Sequence, residues 1–152
     1  ALDEGRLEDA WYLFSDAAAF AYGDEYNEAA FYLAYTSYLL DEPTDAEEAF
    51  RSITMDATDP LYAQYLLTYG QLLIDLGRTD EALELVETDR SSSNPDVAKN
   101  ALYVYGAALL DDADHREEER RAAAEAFQRG ATIEGGDPVM TDVLRRLADE
   151  ND

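Results

Sequence analysis

Apolar residues recur three and four positions apart along nearly the whole chain, as in Leu7, Trp11, Phe14, Ala18 and Ala21, or Leu66, Tyr69, Leu73 and Leu76. That spacing gathers them on one face of a helix with about 3.6 residues per turn, and no stretch sustains the alternation of a half-buried strand. The pattern predicts helices over 6–22, 25–40, 45–55, 60–76, 79–90, 95–111, 116–131 and 138–149. Punctuation supports these starts. Thr44-Asp45-Ala46-Glu47 reads as a capping box, and Asp59-Pro60, Asn94-Pro95 and Asp137-Pro138 each set an N-cap side chain before a proline at the first helical position. Gly23 and Gly77 stand where one amphipathic run stops and the next begins, the position for a left-handed residue that ends a helix.

Serial helices invite a search for repeats, and aligning the hairpins exposes one pattern. It reads Trp11-x2-Phe14-Ser15-x2-Ala18 with Ala29-x3-Leu33, then Leu66-x2-Tyr69-Gly70-x2-Leu73 with Ala82-x3-Val86, then Leu102-x2-Tyr105-Gly106-x2-Leu109 with Ala123-x3-Phe127. Prolines 43, 95 and 138 follow the second helices. This resembles the tetratricopeptide repeat, whose pattern is W-x2-L-G-x2-Y, then A-x3-F, then P, over about 34 residues. The resemblance implies an all-α fold of about eight helices, with antiparallel hairpins stacked as a short right-handed solenoid. The hairpins fall at about 8–41, 63–96 and 99–134, with an inserted helix near 45–55 and a capping helix near 138–149, in a single domain 1–152. It also implies that small residues let the two helices of each hairpin approach. The sequence departs from the family at Ser15, which replaces Gly, and in the spacing of 55 residues from Ser15 to Gly70, against 36 from Gly70 to Gly106.

In that family the first helix of each repeat lines a concave groove that holds a peptide. Carried over position by position, the groove candidates are Tyr12, Asp16 and Phe20; Gln64, Leu67, Gln71 and Asp75; and Asn100, Tyr103 and Asp111. These positions lack the Lys, Arg and Asn set with which some family members clamp a terminal carboxylate. The expected partner is therefore a neutral or basic peptide or helix of another protein.

Composition sharpens the partner. The 152 residues carry 35 acids against 11 bases, a net charge of −24, while 47% of residues are hydrophobic, enough for a folded core. Such a field opposes nucleic-acid backbones and anionic membranes, so neither is expected as a partner. No apolar run approaches the roughly 20 residues of a membrane span, and the first residues show neither a basic nor an apolar leader segment, so a cytoplasmic location is expected. Among the bases only Lys99 is lysine. Abundant carboxylates with so little lysine resemble the composition of haloarchaeal cytoplasmic proteins.

The same inventory removes most catalytic chemistry. With no cysteine and one histidine, thiolate zinc sites, iron–sulfur clusters, cysteine nucleophiles and most His-based catalysis are excluded. His115 lies among Asp111, Asp112, Asp114 and Glu117 to Glu119, but Arg116 falls where a calcium loop needs its third ligand. Asp112-x-x-His115 is one acid–His pair where a di-iron bundle needs two and further carboxylates. The glutamates instead suit the positive end of the following helix. Gly135-Gly136 lacks the Lys-Ser/Thr ending of a phosphate loop and reads as a helix stop.

The stretch at 28–40 faintly resembles the second helix of HEPN-type domains, without their Arg-x4-6-His motif. No catalytic, cofactor-binding or metal residue is expected. The reading is a noncatalytic protein-interaction adaptor. Its rivals are an acidic DNA mimic that binds a basic protein, a noncatalytic HEPN-like bundle, and an enzyme restricted to carboxylates and tyrosine.

The charge balance generates a salt dependence, because molar salt shortens the screening length to about 3 Å and removes most self-repulsion. The melting temperature followed by circular dichroism is expected to rise from dilute buffer to molar KCl, by roughly 4 °C for each ~1 kcal/mol of repulsion relieved. A flat or falling trend would count against salt adaptation.

Overall fold

The helical spacing is realised in a computed structural model that describes residues 4–20, 23–111 and 116–151. Among the described residues the chain forms eight α-helices: α1 (Glu4–Phe20), α2 (Gly23–Leu39), α3 (Pro43–Ser52), α4 (Tyr62–Asp75), α5 (Thr79–Val86), α6 (Pro95–Asp111), α7 (Glu117–Ala131) and α8 (Pro138–Glu150). No described helix is long and apolar enough to cross a membrane.

The helix starts show which local signals act. Asn94 Oδ1 accepts from Asp96 N at 3.0 Å and Val97 N at 3.3 Å, and Asp137 Oδ1 accepts from Val139 N at 2.9 Å, each ahead of its proline as expected. The capping box at Thr44 does not form. Proline at the first position lets α3 begin at Pro43, so Thr44 already lies in the first turn, and Glu42 at the N-cap makes no side-chain cap bond. Asp59 Oδ1 accepts from Leu61 N at 2.9 Å in a turn, and α4 starts only at Tyr62. The stop at Gly77 holds: its φ of +75° lets Arg78 N reach Leu73 O at 2.8 Å, closing the end of α4. α5 is shorter than its predicted 79–90 and gives way to a 3-10 turn at Asp89–Ser91.

The helices pack mostly as sequential neighbours and cluster into two compact units, Ala1–Leu61 and Tyr62–Asp152. In the first, α2 packs against both α1 and α3, burying Leu7, Ala30, Phe31, Ala34, Ala46 and Phe50. Asn27 ties the chain after α3 back to α2, its Nδ2 donating to Thr54 O at 2.6 Å and its Oδ1 accepting from Thr54 N at 3.2 Å.

In the second unit α6 is the hub, packed by α4, α5 and α7, with α8 on α7. Leu66, Ala82, Val86, Leu102, Ala123 and Phe127, all positions of the repeated pattern, are buried there. Glycine sets the closest approaches. A Cβ on Gly106 would collide with the Phe127 ring of α7, one on Gly130 with Leu144 of α8, and one on Gly70 with Val104 of α6. Gly106 therefore serves its own hairpin, as expected, whereas the nearest neighbour of Gly70 is Val104 of the next hairpin. The geometry of the second contact follows from α4 packing directly on α6.

A polar clasp completes this unit. Lys99, only 2% exposed, donates from Nζ to Gly135 O and, at 2.6 Å, to Thr141 Oγ1. Asp96 accepts from Asp137 N at 2.7 Å, so the first turns of α6 pin the connection between α7 and α8. Gly135 and Gly136 take φ of +88° and +76° beside Pro95 and Asp96, which makes them the turn after α7.

Because a Cβ on Gly106 would run into the fully buried Phe127 ring, Gly106→Ala is expected to destabilise the chain by about 1–3 kcal/mol. The urea midpoint measures it, with Gly77→Asn, at a turn glycine open on its Cβ side, as the milder comparison.

Candidate functional site

At about 100° per residue, Leu7, Trp11, Phe14 and Ala18 fall within one narrow arc of α1, while Tyr12, Leu13, Asp16 and Phe20 fall on the opposite arc. The first arc packs. Phe14 stacks on Tyr32 of α2 with ring centroids 5.3 Å apart, and the Trp11 indole donates to the buried Ser37 hydroxyl at 2.9 Å. The second arc faces outward, with Tyr12 65%, Leu13 70% and Phe20 83% exposed. Tyr35 and Leu39, four residues apart on α2, are also exposed. A helix apolar on both faces, in a chain this acidic, has more apolar surface than its own unit covers.

The remaining groove candidates lie in the second unit. Gln64 and Asp75 are exposed, and Gln71 donates to Asp75 Oδ1 at 2.8 Å along α4. Leu67 and Tyr103 are half-buried against the core, Tyr103 packing on both of its apolar clusters. Asn100 is not a surface residue at all: it is buried, and its Nδ2 donates to Ala63 O at 2.8 Å. Its position on α6 faces α4, because α4 packs on α6 directly. Asp111 ends α6 and is exposed, while Asp112, Asp114 and His115 lie outside the described residues.

Tyrosine divides between the two units and between two roles. On α4, Tyr62, Tyr65 and Tyr69 form a ladder with centroids 5.9 and 5.7 Å apart, and the Tyr62 hydroxyl donates to Asp89 Oδ2 at 2.7 Å. These rings pack against the core and bind the turn after α5. Burial, with Tyr69 and Asp89 nearby, pushes the Tyr65 phenol up to about 12.

Sequence reasoning missed two features. Helical spacing puts Trp11 on the packing face of α1, yet its partly exposed indole also walls two pockets together with carboxylates of α3. Lys99 was noted only for its rarity, and the signal was its isolation in a chain whose other bases are all arginine.

A cleft of about 880 Å³ lies along α7 and α8, where Arg120, Arg121 and Arg129 alternate with Glu117, Glu125 and Asp149. Its charges offset one another, with Glu117 3.6 Å from Arg120 and 3.9 Å from Arg121. Among the described residues no group of three or more His, Asp or Glu side chains is placed to hold a metal ion. Comparison with protein-family models, curated proteins and solved structures finds no match.

The raised Tyr65 pKa has a stability consequence. Below about pH 10 the phenol is neutral in both folded and unfolded chains, and the contribution is fully present; between about 10 and 12 only the unfolded chain ionises, so it is lost as pH rises. Urea unfolding across that window is expected to show stability falling with pH, and Tyr65→Phe should flatten the slope. An unchanged slope would place the shift elsewhere.

Proposed function

We propose that the chain is a noncatalytic protein-interaction module, an adaptor or scaffold that binds a peptide or helix of a partner protein. The observation that carries this reading is the outward arc of α1, where Tyr12, Leu13 and Phe20 stand exposed beside Asp16. Tyrosine and phenylalanine bury large area at small entropic cost when a partner covers them, and an apolar strip edged by carboxylates favours a partner that is apolar with neutral or basic flanks. The tetratricopeptide-like character of the hairpins belongs to the same proposal. It is supported by the burial of the pattern positions Leu66, Ala82, Leu102, Ala123 and Phe127. So does a cytoplasmic, salt-adapted setting, supported by the charge of −24 carried with a single lysine.

The test is affinity capture from the source lysate in high and low KCl, comparing the native chain with Leu13→Asp/Phe20→Asp. Both substitutions are at exposed positions and are expected to leave the helical circular dichroism intact. One protein retained in high salt and depleted at least tenfold by the double substitution is the expected result, tenfold being roughly one buried side-chain contact. Capture of basic proteins alone, only in low salt and unaffected by the substitutions, would replace this reading with charge mimicry.

A further inference from the structure

Two pockets adjoin the Trp11 indole within the first unit. One, about 330 Å³, is walled by Trp11 and Tyr12 and edged by Glu8, Glu42 and Asp45. The other, about 240 Å³, is walled by Trp11 and Tyr26, floored by Ala30 and Ala49, and edged by Asp45 and Glu48. Trp11 and Asp45 are common to both. The indole is held in place by its bond to Ser37, so its orientation does not depend on a ligand.

The chemistry of these walls selects an occupant. Aromatic faces carry negative potential and attract cations, with tryptophan the best of them, and carboxylates converging on the same space add to that field. A bare metal ion is poorly served by an indole and by alanine methyls. A cation on an apolar stem is well served, since the stem lies on the apolar floor while the head meets the acids. Arginine suits this better than lysine, because its planar guanidinium stacks on a ring and bonds carboxylates through a fork of donors.

The chain already holds one arginine stacked on a ring beside acids. The Arg90 guanidinium lies 4.0 Å from the centroid of the Tyr105 ring, in a pocket of about 270 Å³ whose other walls include Asp80, Glu84 and Glu87. The pockets at Trp11 repeat this combination of ring and acids, yet among the described residues no lysine or arginine lines either one.

We propose that the pockets flanking Trp11 receive arginine side chains presented by the partner protein. The proposal rests on the reading of the chain as an interaction module and specifies what the partner presents. It also gives Tyr12 two neighbouring roles, as part of the outward apolar arc and as a wall of the arginine site.

Trp11 is the sole tryptophan, so its emission reports on the site directly. The probe is a blocked glycine peptide carrying two arginines, titrated against the full chain in moderate salt. Its twin carries citrulline, which keeps the shape and removes the charge. The arginine peptide is expected to shift Trp11 emission saturably and the citrulline peptide to leave it unchanged. Asp45→Asn/Glu48→Gln should raise Kd about tenfold, the size of one charge-assisted contact. Glu118→Gln, at an exposed carboxylate of α7 that lines neither pocket, should raise it far less.

No saturable shift, equal binding of the citrulline peptide, or an equal loss in Glu118→Gln would overturn the proposal, the last by showing attraction to overall charge alone. Circular dichroism of each variant separates loss of the site from loss of the fold, and Glu8→Gln, on α1, provides a second variant that leaves α3 untouched. Failure of the peptide while Leu13 and Phe20 still govern partner capture removes the arginine assignment and leaves the interaction module standing. Peptide binding without any dependence of capture on Leu13 and Phe20 leaves the arginine site standing and removes the outward arc of α1 as the partner's anchor.

Discussion

Close approach of helices through residues with little or no side chain is the constraint on which the second unit depends. Without disulfides, and with charge working against compaction, apolar contact has to be made at short range over every available face. Gly70, Gly106 and Gly130 each admit a large side chain from a neighbouring helix: Val104, Phe127 and Leu144 respectively. Because those three contacts follow one another from α4 to α6, α6 to α7 and α7 to α8, they carry packing through the unit. Lys99 and Asp96 then hold the connection between α7 and α8 with hydrogen bonds that the apolar contacts cannot supply. A buried ammonium is tolerated there because a carbonyl and a hydroxyl accept from it.

The first unit is built differently. Between α1 and α2 the Phe14 ring stacks on Tyr32, and Phe31 meets Tyr32 and Tyr35 of its own helix. Rings leave gaps where they meet small residues, and the smaller pocket beside Trp11 is bounded by Ala18, Ala30 and Ala49. Acids of α3 reach the rim of those gaps because the same helix buries Ala46, Ala49 and Phe50, turning Asp45 and Glu48 outward. Packing and binding capacity in this unit therefore have a common origin: the residues that bury the inner face of α3 also determine which acids edge the pockets.

Charge shapes the functional proposals more than any single motif does. An excess of carboxylates favours cations everywhere on the surface, so acidity alone identifies no site. What singles out the region around Trp11 is the coincidence of oriented rings, apolar floor and acids, the same coincidence that Arg90 meets at Tyr105. The outward arc of α1 contributes a different kind of attraction, apolar and insensitive to salt.

Helical spacing, proline and glycine placement and charge were sufficient to determine that this chain is all-helical, where its helices fall to within a few residues and that its surface is strongly acidic. Those properties are local: a 3.6-residue period, an Asn94 or Asp137 cap and a left-handed Gly77 act over a few residues, so neighbours in sequence are enough to specify them. The same spacing placed Leu7, Trp11, Phe14 and Ala18 on one arc of α1. Tertiary structure alone decided that Asn100 turns inward to Ala63, that Gly70 lies against Val104 of α6, that Lys99 is buried, and that Trp11 meets acids from α3. Each of those depends on which helix lies opposite, and residues far apart in sequence become neighbours only when packing has brought their helices together.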